Sequence, residues 1–168
     1  MSDPDDAIDS HLLGPDLLPT PFTADEIRNA SGSGTTIRIL VEEPDGGAFE
    51  RVNRFSDCDD DGAILERWRV APGGGVDGEV ARGRVTWREL QGHAAFPAAT
   101  TSRREEMLDL PIGRVECLRF DTRDDEAPDA PVETFWFARA LPGMPVRFES
   151  PTPAGVVRTT VLAVEVVR

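Results

Sequence analysis

The stretch Thr35-Thr36-Ile37-Arg38-Ile39-Leu40-Val41-Glu42-Glu43-Pro44-Asp45-Gly46-Gly47 decides the fold. Ile37, Ile39 and Val41 alternate with Arg38, Leu40 and Glu42, the period-two pattern of a half-buried strand. Pro44-Asp45-Gly46-Gly47 then gives the chain a turn. The same unit recurs downstream. A strand over 48–55 meets the turn Asp59-Asp60-Asp61-Gly62, and the next strand carries Ile64, Glu66, Trp68 and Val70 on one face. Pro72-Gly73-Gly74-Gly75 turns the chain into a strand over 76–85. Turns at such regular spacing predict an antiparallel meander.

Two short helices interrupt the strands. Thr23 and Glu26 form a T-x-x-E capping box, with Phe22 and Ile27 placed as a hydrophobic staple, and Ser31-Gly32-Ser33-Gly34 ends the helix. Thr86 and Glu89 repeat the box, followed by Trp87, Leu90 and Ala94 at helical spacing and Pro97 beyond the end. Further strands are expected over 101–110, 112–121 and 132–138. Leu141-Pro142-Gly143-Met144 is a type II turn by its central Pro-Gly. A short strand holds Val146 and Phe148, and a β-branched strand over 156–167 closes the chain. The expected fold is therefore mainly β, an antiparallel meander of about nine strands with two short helices. So many twisted strands curve into a half-barrel or barrel, with a helix plugging the concave side. Residues 1–21 read as an acidic, Leu/Pro-rich N-terminal arm, its first ten residues mobile and its leucine pairs laid against the rest. Residues 22–168 read as a single β-rich domain.

Composition narrows the chemistry. The 168 residues carry 31 acidic and 18 basic side chains, a net charge of −13. Every basic residue among the 18 is arginine, and tyrosine is absent. Without lysine there is no Schiff base, P-loop lysine or lysine general base. The negative charge repels phosphate backbones and anionic membrane surfaces, so nucleic acid is not an expected partner. No apolar run approaches the roughly 20 residues of a membrane-spanning helix. The acidic start at Met1-Ser2-Asp3-Pro4 lacks the positive charge of a secretory signal, which gives the expectation of a cytoplasmic protein. Cys58 and Cys117 form no CxxC and read as small buried hydrophobes.

Four groups of residues stand out as candidate sites. Asp57-x-Asp59-x-Asp61-Gly62 matches the opening of a calcium loop, in which alternate carboxylates converge on the ion. Trp68 stands where the closing bidentate Glu belongs, and the flanks read as strands, so the bland reading is an acidic hairpin turn. His93 with Glu89 is the minimum pair for acid–base catalysis, set against a histidine that closes a helix C-terminus. Arginines such as Arg38, Arg51, Arg54, Arg67, Arg69 and Arg158 interleave with glutamates along the strands. Cross-strand ion pairs are the natural reading, with an anion site as the alternative. Phe135, Trp136, Phe137 and Met144 form the most apolar local cluster, a candidate ligand-binding surface or simply core. No cofactor is expected.

The run Phe135-Trp136-Phe137-Ala138, then Leu141-Pro142-Gly143-Met144-Pro145-Val146 and a further strand, resembles the last strands of half-barrel proteins similar to bacterial lipoprotein carriers. The resemblance covers the last third of the chain. It implies a curved sheet wrapped round helices, with an apolar inner face able to hold an acyl chain, and it carries no functional residue over. Three function classes follow: a non-catalytic module binding an apolar small molecule or partner segment, a protein–protein component without ligand, and a small acid–base enzyme. A buried apolar cavity favours the first, a filled interior with an exposed apolar patch the second, and His93 beside a free carboxylate the third.

Overall fold

The computed structural model describes residues 10–124 and 126–166. Strands β1 (Thr36–Glu42), β2 (Ala48–Ser56), β3 (Gly62–Val70) and β4 (Val76–Thr86) precede β5 (Thr101–Leu110), β6 (Gly113–Thr122), β7 (Glu133–Ala138), β8 (Arg147–Thr152) and β9 (Gly155–Glu165). Helix α1 (Ala24–Ala30) leads into β1, and α2 (Trp87–Gly92) follows β4. All nine strands form one antiparallel sheet in the order β4-β3-β2-β1-β9-β8-β7-β6-β5. The expected meander is thus two meanders, β1–β4 and β5–β9, joined where the closing strand pairs with the first.

This order explains the helices. β4 and β5 are consecutive in sequence yet lie at opposite edges of the sheet. The segment between them, α2 and the 3-10 turn Ala98–Thr100, therefore has to cross the whole sheet. The sheet curves around it without closing. Curvature in the β5 half is strong enough to bring β5 near β9, although β8, β7 and β6 lie between them in the sheet. Register shifts at Arg38/Ile39 against β9 and Arg67/Arg69 against β4 add local bends.

Both capping boxes form as read from the sequence. Thr23 Oγ1 accepts from the Glu26 amide and Thr86 Oγ1 from the Glu89 amide, and each glutamate carboxylate accepts from the cap amide in return. These helices are too short to stand alone, and their buried faces hold them. The register puts Ile37, Asn53, Phe55, Leu65, Arg67, Phe120, Phe135, Phe137 and Val164 on the helix-facing side of the sheet. Phe22 meets Phe137 edge-on at 6.3 Å, Phe96 lies 4.8 Å from Phe135 and 5.1 Å from Phe120, and Trp87 lies 6.0 Å from Phe55.

The chain's one glutamine fastens this layer together. Gln91 is 3% exposed. Its Oε1 accepts from the Ala24 amide at 2.9 Å, and its Nε2 donates to Ser10 O at 2.8 Å and Thr20 Oγ1 at 3.0 Å. Helix α2, the start of α1 and the N-terminal arm are thus joined at one buried amide. The arm runs on the helix side, where the Leu18 amide donates to Phe96 O and Leu17 bridges Pro97. The expected mobility of the first ten residues falls almost wholly outside the described residues. No helix among the described residues is long and apolar enough to cross a membrane.

Candidate functional site

The aromatic strand β7 separates the candidate residues by face. Phe135 and Phe137 point toward the helices. Trp136 points the other way and is 5% exposed. The sheet's own side chains cover it. Trp136 Nε1 donates to Glu106 Oε2 at 2.8 Å, and the Arg119 guanidinium lies 5.1 Å from the ring centre. Arg119 pairs with Glu106 and Asp121, and Thr134 Oγ1 donates to Asp121 at 2.7 Å. The Trp136 hydrogen bond, ahead of those from Arg119, holds the Glu106 carboxyl below its ordinary range despite burial. Cys117 is on this face too, fully buried, and burial followed by the charge of Glu106 pushes its thiol up to about 11. Both Cys58 and Cys117 are free thiols.

On the helix side the packing is incomplete. A cavity of about 510 Å³ lies between the sheet, the C-terminal ends of both helices and the loop 140–145. Its walls are mostly apolar, with Ile37, Phe55, Leu65, Phe135, Phe137 and Val164 from the sheet, Leu90 and Ala94 from the α2 segment, and Leu141 and Met144 from the loop. The volume falls within the range typical of small-molecule sites. A few polar groups share the wall: Thr35, Asn53, Arg67 and His93. Thr35 Oγ1 and Asn53 Oδ1 are buried without a hydrogen-bond partner among the described residues. Asn53 Nδ2 reaches only the sulfur of Met144, at 3.9 Å, a weak acceptor. A second hollow of about 450 Å³ beside Thr100, Ser102, Asp121 and Arg123 is more open and more polar.

Phe135, Phe137 and Met144 therefore meet at the cavity, and Trp136 does not. His93 is on the rim, exposed, as the C-cap of α2. Its sequence partner Glu89 spends its carboxylate on the Thr86 amide in the capping box, at 3.1 Å. The pair is not brought together as an acid–base couple.

Asp57, Asp59 and Asp61 stand apart from the cavity, in the β2–β3 connection. Asp59 Oδ1 accepts from the Asp61 and Gly62 amides and from Arg84, each at 2.9 Å. Arg84 first, and then these amides, pull the Asp59 carboxyl down to about 2. Asp59 O accepts from Trp87 Nε1 at 2.9 Å, and Asp61 O accepts from the Trp87 amide at 3.1 Å. The turn docks the start of α2. Among the described residues no three His, Cys, Asp or Glu side chains gather as a metal site.

Sequence reasoning missed Thr35, Asn53, Leu65 and Val164 as wall residues. Strand β2 hides the signal, because its inward positions read Phe49, Arg51, Asn53, Phe55 and its outward positions include buried Val52. Polar residues on an inward face are the mark of a lined cavity, visible only once the face is known.

No protein-family model matches the chain, and no curated protein matches its sequence. Two solved structures are distantly similar in shape. One is a candidate exported protein with a YmcC-like fold from Bacteroides fragilis, 10% identical over 81% of this chain and 97% of that one, with a TM-score of 0.48. The other is a candidate lipoprotein from Parabacteroides distasonis, 9% identical over 80% of this chain and 96% of that one, with a TM-score of 0.46. No residue role is carried over from either.

Proposed function

We propose that this chain is a non-catalytic binding module that holds an apolar ligand between its curved sheet and its helices. One observation carries the reading: a cavity of about 510 Å³, walled by aliphatic and aromatic side chains, where a domain of this size would ordinarily be filled. At about 30 Å³ per water-sized group, the space holds about 17 such groups, room for a chain of a dozen carbons or more. Burying about ten methylenes at about 0.8 kcal/mol each gives about 8 kcal/mol, the equivalent of a micromolar Kd, before association costs, which weaken it. The sequence resemblance of the last third to lipoprotein carriers points to the same class of ligand. Partner docking has a weaker case, because the exposed large hydrophobics among the described residues, Leu12, Val76, Val80, Met107, Val156 and Val166, are spread over the arm, both edge strands and the C-terminal strand.

The test is titration with the neutral fluorescent probe N-phenyl-1-naphthylamine and displacement by dodecanol. Saturable binding at one site is expected, and Leu65→Trp, which puts an indole into the cavity, should abolish it while the far-UV circular dichroism stays unchanged. Probe binding that fails to saturate, or that survives Leu65→Trp in full, would remove the proposal.

A further inference from the structure

The cavity has a charged end. Arg67 lies directly across from Asn53 in the β2–β3 register, and Arg51 sits two residues before Asn53 on the same inward face. Arg51 and Arg67 are therefore diagonal neighbours, within reach of a common ligand atom. One step further along both strands the pair Phe55 and Leu65 begins the apolar wall.

What sets these two arginines apart from their neighbours on β1, β2 and β3 is the lack of an ion-pair partner. On the neighbouring positions the expected ion pairs form: Arg38 with Glu50 at 2.9 Å, Arg54 with Glu66 at 3.1 Å, and Arg69 with Asp77 at 3.6 Å. Arg69 also stacks on Phe49, 4.2 Å from the ring centre. Arg51 and Arg67 have no carboxylate within ion-pair distance among the described residues, and Arg51 Nε is buried with no acceptor. Exposed arginines can leave their N–H groups to water; a half-buried one cannot do so fully. Burial, and next the charge of Arg67, hold the Arg51 guanidinium below its ordinary value. Two like charges side by side, Arg67 on the cavity wall and Arg51 diagonal to it, are a standing cost that one bridging anion removes.

We propose that the ligand is a single-chain amphiphile whose anionic head, a carboxylate or a phosphate monoester, sits between Arg51 and Arg67 with its tail in the apolar cavity. This rests on the binding-module reading and specifies the head group. Asn53 has one N–H on a poor sulfur acceptor and a second free for the head. The net charge of −13 repels anions at a distance, so recognition comes from contact with these two guanidiniums.

The experiment compares dodecanoate, dodecyl phosphate, dodecanol and methyl dodecanoate as displacers of N-phenyl-1-naphthylamine. At least one anion should bind ten-fold or more tightly than both neutral compounds, and the stronger of the two anions identifies the head. Arg67→Gln should erase that preference, so that the better anion binds within two-fold of dodecanol on the same variant. Arg67→Glu should reverse it in favour of dodecyltrimethylammonium. Equal binding of neutral and anionic chains, untouched by either variant, would overturn the head-group proposal and leave the apolar cavity standing. Failure of all four compounds to displace the probe would overturn both.

Discussion

Replacing Gln91 with methionine keeps the length and shape of the side chain and removes both its polar atoms. The buried amide now accepts from the Ala24 N–H and donates to Ser10 O and Thr20 Oγ1. Ser10 is exposed and its carbonyl can turn to water, and Thr20 Oγ1 keeps its own donation to Phe22 O at 2.8 Å. The Ala24 amide, at the first turn of α1, loses its acceptor inside the protein. An unsatisfied buried donor costs about 1–3 kcal/mol and each lost hydrogen bond about 1 kcal/mol, so Gln91→Met should destabilise by about 2–4 kcal/mol. At about 2–4 °C per kcal/mol for a chain of this length, the melting midpoint should fall by about 5–15 °C. Urea unfolding followed by tryptophan fluorescence measures the loss, with Gln91→Glu as a control that retains the acceptor. A loss below about 0.5 kcal/mol would show that the arm and the two helices are not held through this residue. The cavity roof would then need another explanation.

Two further outcomes follow from the Asp59 turn. Gly62 faces the backbone of β4, where an added Cβ would run into Val85 O and Thr86 Cα; Gly62→Ala should therefore lower stability by about 1–3 kcal/mol in urea unfolding, since neither obstacle is a movable side-chain end. The Asp59 carboxyl sits at about 2, below its ordinary 3.8, so its stabilising contribution is present above pH 4 and is lost as the pH falls toward 2. Wild type should melt higher than Asp59→Asn at pH 7, with the two curves converging by pH 2; a gap independent of pH would contradict the ion pair with Arg84.

Much of the architecture was legible because local signals and the fold agree. The capping boxes at Thr23 and Thr86 placed both helices, and the Gly- and Pro-rich turns separated nine strands. The pairing of β9 with β1 was not legible, because a strand's partner depends on which faces are buried and a period-two pattern is silent on that. The site was half legible. Phe135, Phe137 and Met144 were singled out as apolar and do meet at the cavity, whereas Trp136 was grouped with them by adjacency although alternation sends it to the opposite face. Arg51 reads from the sequence as one of the cross-strand ion-pairing arginines and Asn53 carries no signal of its own, since polar side chains inside a sheet announce themselves only through their neighbours' register. The acidic Asp57–Asp61 run misled in the opposite direction. Its carboxylates resemble a cation loop in sequence, yet Asp59 is turned onto its own amides and Arg84.

Met144 lines the cavity from the loop after β7, while Met107 is half-exposed on the edge strand β5. With the methionine methyl groups labelled with carbon-13, titration of the intact chain with dodecanol reads both positions in one spectrum. Binding in the cavity shifts the Met144 methyl resonance saturably and leaves Met107 in place. A Met107 shift with Met144 unmoved, or no saturable shift at either methyl, would contradict a ligand site between the sheet and its helices.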